Sequence, residues 1–255
     1  MAKWSCAAVP TASDDVTIGN LNNGTLTVNA PAPAQSLSFN SYGTISGTAG
    51  FNVSGLASFS ALATTTITTS GSRLPTLTMS PASGTVLTFT DPALTADSLT
   101  TFTSSKPAGS NGAVIMNVGA RNYGTINLIN GYLRINAPIT VTTALNWAGG
   151  SLNSTNSSHT ITIASGATLN ISNGTTASNA LYAPLINNGT ATWSGNQSIS
   201  ADSNAEWINN GSLTVQVASP LTSLDSGLVI GVNASRPFTN YGTLRFNHSG
   251  TVQFD

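Results

Sequence analysis

Charge is what this chain lacks most. Aspartate, glutamate, lysine and arginine together make up 6% of its 255 residues, against about 25% in an ordinary soluble domain. Glutamate occurs once, at Glu206, and lysine twice, at Lys3 and Lys106. With helix formers of the Glu/Lys/Gln/Arg kind so scarce, and Thr, Ser, Asn, Gly, Val and Ile dominant, strands are favoured over helices. A net charge of −1 offers no basic surface for nucleic acid. There is no polybasic or amphipathic helical stretch for a membrane surface, and no apolar run approaches the roughly 18 residues of a membrane span. The opening Met1-Ala2-Lys3-Trp4-Ser5-Cys6 lacks the apolar run of a signal peptide, so a secreted protein would have to contain this sequence as a mature or excised segment. The one cysteine, Cys6, cannot close an internal disulfide and reads as a small buried or incidental thiol. Hydrophobic residues still reach 40%, which is not the profile of a disordered chain.

What is present is a repeat. Ile186-Asn187-Asn188-Gly189-Thr190-Ala191-Thr192-Trp193 returns 22 residues later, without a gap, as Ile208-Asn209-Asn210-Gly211-Ser212-Leu213-Thr214-Val215. The Asn-Gly pair predicts a bend, because both residues tolerate positive φ. The alternation after it predicts a strand with one face buried. Asn22-Asn23-Gly24-Thr25-Leu26-Thr27-Val28 is the first full copy, and further copies begin at Ser41-Tyr42-Gly43, Asn122-Tyr123-Gly124 and Asn240-Tyr241-Gly242. From about residue 50 to 110 the beat passes to Leu37, Leu56, Leu77 and Leu99, spaced 19, 21 and 22 apart. Pro75, Pro81 and Pro92 mark turns, and the breaker-rich run from Lys106 to Gly112 predicts a protruding loop over 105–113.

A strand and turn recurring at this period predict an all-β parallel β-helix, a β-solenoid with coils of about 19–25 residues. One coil buries its apolar positions only when another lies on it, about 4.8 Å away. The reading is a single elongated domain over 1–255, with 1–18 as its cap and 19–255 as stacked coils. Roughly eleven or twelve coils would give a rod on the order of 55 Å long. Asparagines stacked at the turns predict amide ladders. A compact β-sandwich is the alternative, since regular strand spacing suits that fold too.

The stretch from Trp147 to Val217 contains Gly166-Ala167-Thr168-Leu169-Asn170-Ile171, Asn187-Asn188-Gly189-Thr190 and Trp193-Ser194-Gly195. It resembles the Gly/Asn/Thr-rich repeat regions of very large bacterial surface and secreted β-helix proteins of the autotransporter and adhesin-like kind. The opening, with Trp4-Ser5, Val9-Pro10 and Asp14-Asp15-Val16-Thr17-Ile18, is similar to the start of such domains, although Cys6 stands where they more often have Gly. The resemblance implies a right-handed helix, an extracellular or cell-surface setting and a structural or adhesion-like role. It supplies no catalytic residue and no cofactor.

Some β-helices degrade polysaccharides, using clustered carboxylates. Asp202 and Asp225, 23 residues apart, are the best pair for such work, but each is followed by Ser in a turn-like context that suits a capping aspartate. Asp14 and Asp15 are adjacent and would point to opposite faces of a strand. His159 and His248 have no companions at metal-ligand spacing. The expectation is a non-enzyme without metal or cofactor. Trp147 and Trp193, 46 residues apart, could form a sugar-stacking ladder if exposed, against the alternative that both lie inside the coils. The Thr-x-Thr pairs Thr25-Thr27, Thr66-Thr68 and Thr76-Thr78 raise ice binding but recur at no fixed offset. The chain leaves the pattern in mid-strand, so Val252 and Phe254 are expected to support end-to-end self-association.

Overall fold

The computed structural model describes residues 10–19, 21–82, 84–94, 101–104, 113–172, 179–194, 199–201, 205–216, 230–232 and 238–247, with backbone alone at 101–104 and 230–232. The described residues form 27 short strands and no helix, and every paired strand is parallel to its neighbours. The fold is a β-solenoid. The predicted loop over 105–113 falls outside the described residues, except that Ala113 opens the strand Ala113–Asn117.

Each coil visits three faces. On the first, eleven strands stack from Asp15–Ile18 through Leu56–Ala61 and residues 144–147 to Thr243–Phe246. On the second, ten strands run from Thr25–Thr27 to Ile230–Val232. The third face is built twice. Near the start it is the pair Ala32–Ala34 and Phe51–Val53, extended by a single bridge from Asn52 to Arg73. It begins again at Arg121, where the strand Arg121–Leu128 runs through a register shift between Tyr123 and Thr125 and serves two faces at once.

The register explains the core. Val16, Leu37, Ala57, Leu77, Phe102, Ile126, Leu145, Leu169, Ala191, Leu213 and Leu244 occupy one position in successive coils. Two residues further on, Phe39, Phe59, Met79, Leu128, Trp147, Ile171, Trp193 and Val215 point the same way, because side chains on a strand repeat with period two. These larger side chains are buried, each contributing about 1.5–3 kcal/mol over an exposed counterpart. Early coils are filled by phenylalanine, with Phe59 about 6.2 Å from Phe39 and 6.3 Å from Phe89 between ring centres. Later ones use tryptophan, with Trp193 at 6.3 Å from Trp207, which meets Phe238 edge-on at 5.6 Å.

Two expectations are corrected. The leucine beat slips by one residue: Ala57, not Leu56, stands in register with Leu37 and Leu77, and Leu56 is 45% exposed. A slip of one residue moves a side chain to the opposite face, so a near-regular spacing of leucines does not mean an equal position. In the next coil Phe102, not Leu99, aligns with Leu77; Leu99 itself is outside the described residues. The second correction concerns the Asn-Gly bends. Positive φ occurs at Asn22 and Asn23 (47° and 62°), but not at Gly189, Gly211 or Gly242. Glycine is needed there because the next coil is too close. A Cβ on Gly211 would lie 2.0 Å from the carbonyl oxygen of Gly189, and one on Gly242 2.0 Å from that of Gly211. The same carbonyls accept hydrogen bonds from the amides of Ser212 (2.9 Å) and Thr243 (2.8 Å).

Candidate functional surfaces and buried polar groups

The expected amide ladders are present, and the strongest runs inside the rod. On the third face one position is filled in turn by Tyr123, Val141, Ile163, Asn187 and Asn209, all buried, and then by Asn240, which is exposed. The apolar column thus becomes an asparagine column. Asn187 Nδ2 donates to Asn209 Oδ1 at 2.7 Å, and Asn209 Nδ2 to Asn240 Oδ1 at 2.6 Å. The ladder also clamps the glycine corner: Asn187 Oδ1 accepts from the Gly189 amide, and Asn209 Nδ2 reaches the carbonyl of Thr243. Outside, Asn170 donates to Asn146 and Asn146 to Asn127, each at 2.8 Å, and Asn210 donates to Asn188. Asparagine suits this use because its side chain is donor and acceptor together, so each rung serves the one above and the one below.

The early coils are locked by a different group, which sequence reading missed. Asp91 is fully buried. Its Oδ2 accepts from the Thr69 hydroxyl (3.0 Å) and the Ser72 amide (2.8 Å), and its Oδ1 from the amides of Gly71 (2.8 Å) and Ala93 (3.2 Å). One carboxylate therefore holds the corner of the preceding coil. With four donors on its two oxygens, the carboxylate is committed to holding this corner. Arg121 and Tyr123 open the rebuilt third face. Burial pushes the Arg121 guanidinium below its ordinary pKa, against the opposing pull of Tyr123 and Asp91. Burial also drives the Tyr123 phenol well above its ordinary value, with Arg121 working the other way. A phenol raised in this way is not poised to lose its proton near neutrality.

Trp147 and Trp193 lie in the core, 0% and 1% exposed. The Trp147 indole donates to the Gly150 carbonyl at 3.1 Å, whereas Trp193 and Trp207 Nε1 find no partner among the described residues. Neither ring face is open to a sugar, and the interior alternative is the one the structure places. Asp202, Asp225, His248, Val252 and Phe254 lie outside the described residues. His159 sits in a turn, its amide donating to the Asn156 carbonyl, and its Nδ1 has no partner among the described residues. Asp14 closes the first turn by accepting from the Thr11 amide and hydroxyl, and Asp15 accepts from the Ser36 hydroxyl one coil on. Among the described residues no three His, Cys, Asp or Glu side chains gather as metal ligands.

Two concave places occur near the start of the rod. An apolar cavity of about 210 Å³ is bounded by Pro10, Val16, Ile18, Leu26, Leu37 and Phe51. A groove of about 550 Å³ on the third face is lined by Pro31, Thr48, Asn52, Ser70 and Arg73. Neither brings together a nucleophile and a base.

The threonine pairs fall differently from their sequence spacing. Thr25-Thr27, Thr44-Ser46, Thr66-Thr68 and Thr88-Thr90 are in register on the second face, whereas Thr76-Thr78 belongs to the first. The pairs thus share one position in four successive coils although the residue count between copies varies. Fold and geometry together define a β-solenoid repeat protein. Comparison with protein-family models, with curated proteins and with solved structures finds no match.

Proposed function

We propose that this chain is a non-catalytic structural or adhesion-like rod, an extracellular segment of a larger surface or secreted protein. One observation carries the reading: the asparagines and glycines that recur in the later coils are committed to holding the next coil. The Asn187–Asn209–Asn240 ladder and the Gly189–Gly211–Gly242 column both face neighbouring coils rather than a ligand. The likeness of these repeats to those of large bacterial surface proteins supports the setting. Further coils of such a protein, or a second copy, would stack on the same parallel register, since a strand offers hydrogen-bonding groups on both edges.

The test pairs shape with binding. The full chain is expected to scatter X-rays as an extended rod, to leave a glycan array blank and to release no reducing ends from polysaccharides. Saturable binding of a defined oligosaccharide would move the assignment to a carbohydrate-binding module, and released ends would move it to an enzyme. Light scattering over a concentration series, with Phe254→Lys beside the parent chain, reads self-association.

A further inference from the structure

The second face of the early coils presents a grid of hydroxyls. One column is Thr25, Thr44, Thr66 and Thr88, and the other is Thr27, Ser46, Thr68 and Thr90. The residues between them, Leu26, Ile45, Ile67 and Phe89, point inward. None of the eight is buried, and none is charged or aromatic. Thr90 accepts from Asn117 Nδ2 at 3.2 Å; the other seven hydroxyls make no side-chain hydrogen bond among the described residues. The ladder runs through these four coils without a register shift and the grid then stops, with Ile115 and Asn117 taking its two positions. Arg134 follows Ile115 one coil later.

We propose that this face binds ice, a function beyond the scaffold role and independent of it. The argument is one of spacing and stiffness. Parallel coils set the hydroxyls about 4.8 Å apart along the rod and about 6.6 Å apart along each strand. Tetrahedral water joined by hydrogen bonds of about 2.75 Å places second neighbours about 4.5 Å apart and repeats its layers about every 7.3 Å. The two grids agree closely enough over four coils for several hydroxyls to take lattice positions at once. Threonine is β-branched and stiff at χ1, so its hydroxyl and methyl are held in place with little further entropy to lose. A sugar chain would look for aromatic faces and an ion for opposite charge, and the eight positions offer neither.

The experiment uses the full chain, fluorescently labelled, and measures its uptake into a growing ice hemisphere together with inhibition of ice recrystallisation. Thr44→Tyr and Thr66→Tyr obstruct the centre of the grid. Thr44→Val and Thr66→Val keep the shape and the strand preference but remove the hydroxyl. Thr78→Tyr, on the first face, is the control, and circular dichroism checks that each variant is folded. The parent chain and Thr78→Tyr are expected to enter the ice. The tyrosine variants should lose most of that uptake and the paired valine variant part of it. Exclusion of the folded parent chain from ice overturns the proposal, as does equal loss in Thr78→Tyr or no loss in any folded grid variant. Retention on microcrystalline cellulose, abolished by Thr66→Tyr while ice uptake is absent, would assign the face to a solid polysaccharide instead.

Discussion

The coils before residue 94 and those after residue 121 share a topology but are fastened by opposite chemistry. In the early region one buried carboxylate, Asp91, closes the corner of the preceding coil, gathering donors from Thr69, Gly71, Ser72 and Ala93. In the later region the last three described coils are closed by Asn187, Asn209 and Asn240, which bond to one another. The difference shows which locks can be repeated. Buried aspartates stacked at about 4.8 Å would repel one another, so that device serves once. An amide donates upward and accepts from below, so a ladder of them extends with every coil added.

Removing a coil from each region tests this most severely. Deleting residues 186–207 should leave a folded, shorter rod, because Asn209 then takes the place of Asn187. Deleting residues 66–87, an equal length, brings Gly47 and Phe51 to the positions of Thr69 and Ser72 and takes the hydroxyl partner from Asp91. We expect that variant to lose several kcal/mol or fail to fold. Deleting eleven residues from within 186–207 should abolish folding outright, because a turn then lies over a strand. Thermal melts followed by circular dichroism rank the three, and equal damage from both whole-coil deletions would erase the contrast.

Next in size is Gly211→Ala. The added methyl meets backbone, not a mobile side chain, and we expect a loss of more than about 4 kcal/mol. Gly119→Ala, where a Cβ meets nothing within 4 Å, should stay within about 0.5 kcal/mol. Denaturant titration reads both, and a tolerated Gly211→Ala would mean the coils can separate locally.

Exchanging the two locks is a finer test. Asn209→Asp removes the donor to Asn240 and buries a carboxylate, a loss of about 3 kcal/mol. Asp91→Asn turns an NH₂ group toward donors it cannot accept from, a loss of about 2 kcal/mol. Denaturant melts of the pair would show neutral changes if the locks were interchangeable.

The smallest effect belongs to Asp14. The Thr11 amide, and then its hydroxyl, hold this exposed carboxyl below its ordinary value of 3.8. Since its folded pKa is the lower one, its contribution is complete above the ordinary value and fades as pH falls through the folded value. An NMR titration should show the Thr11 amide shifting together with Asp14 in that acid range, with no such step in Asp14→Asn.

The same contrast explains how far the sequence could be read. Asn-Asn-Gly is visible because it repeats, and it led correctly to stacked coils and amide ladders. Its glycines suggest handed turns, yet at Gly189, Gly211 and Gly242 it is the close approach of the neighbouring coil that requires them. Asp91 left no trace, since a device used once has no period. Trp147 and Trp193 stand out as a spaced pair, but spacing along the chain does not say which face a ring occupies. The hydroxyl grid was hidden by uneven coils: its copies are separated by 19, 22 and 22 residues, and only strand pairing brings them into line.

The glycine column also makes length a countable trait. A neighbour so close admits a whole coil or none, with nothing in between. Among the later coils, where Asn209 can take the place of Asn187, gain or loss of one full unit is expected to yield another working rod. A fractional slip sets a side chain against a carbonyl and is discarded. Descendants of such a gene would therefore differ in reach by discrete steps, each inheriting the same fastening.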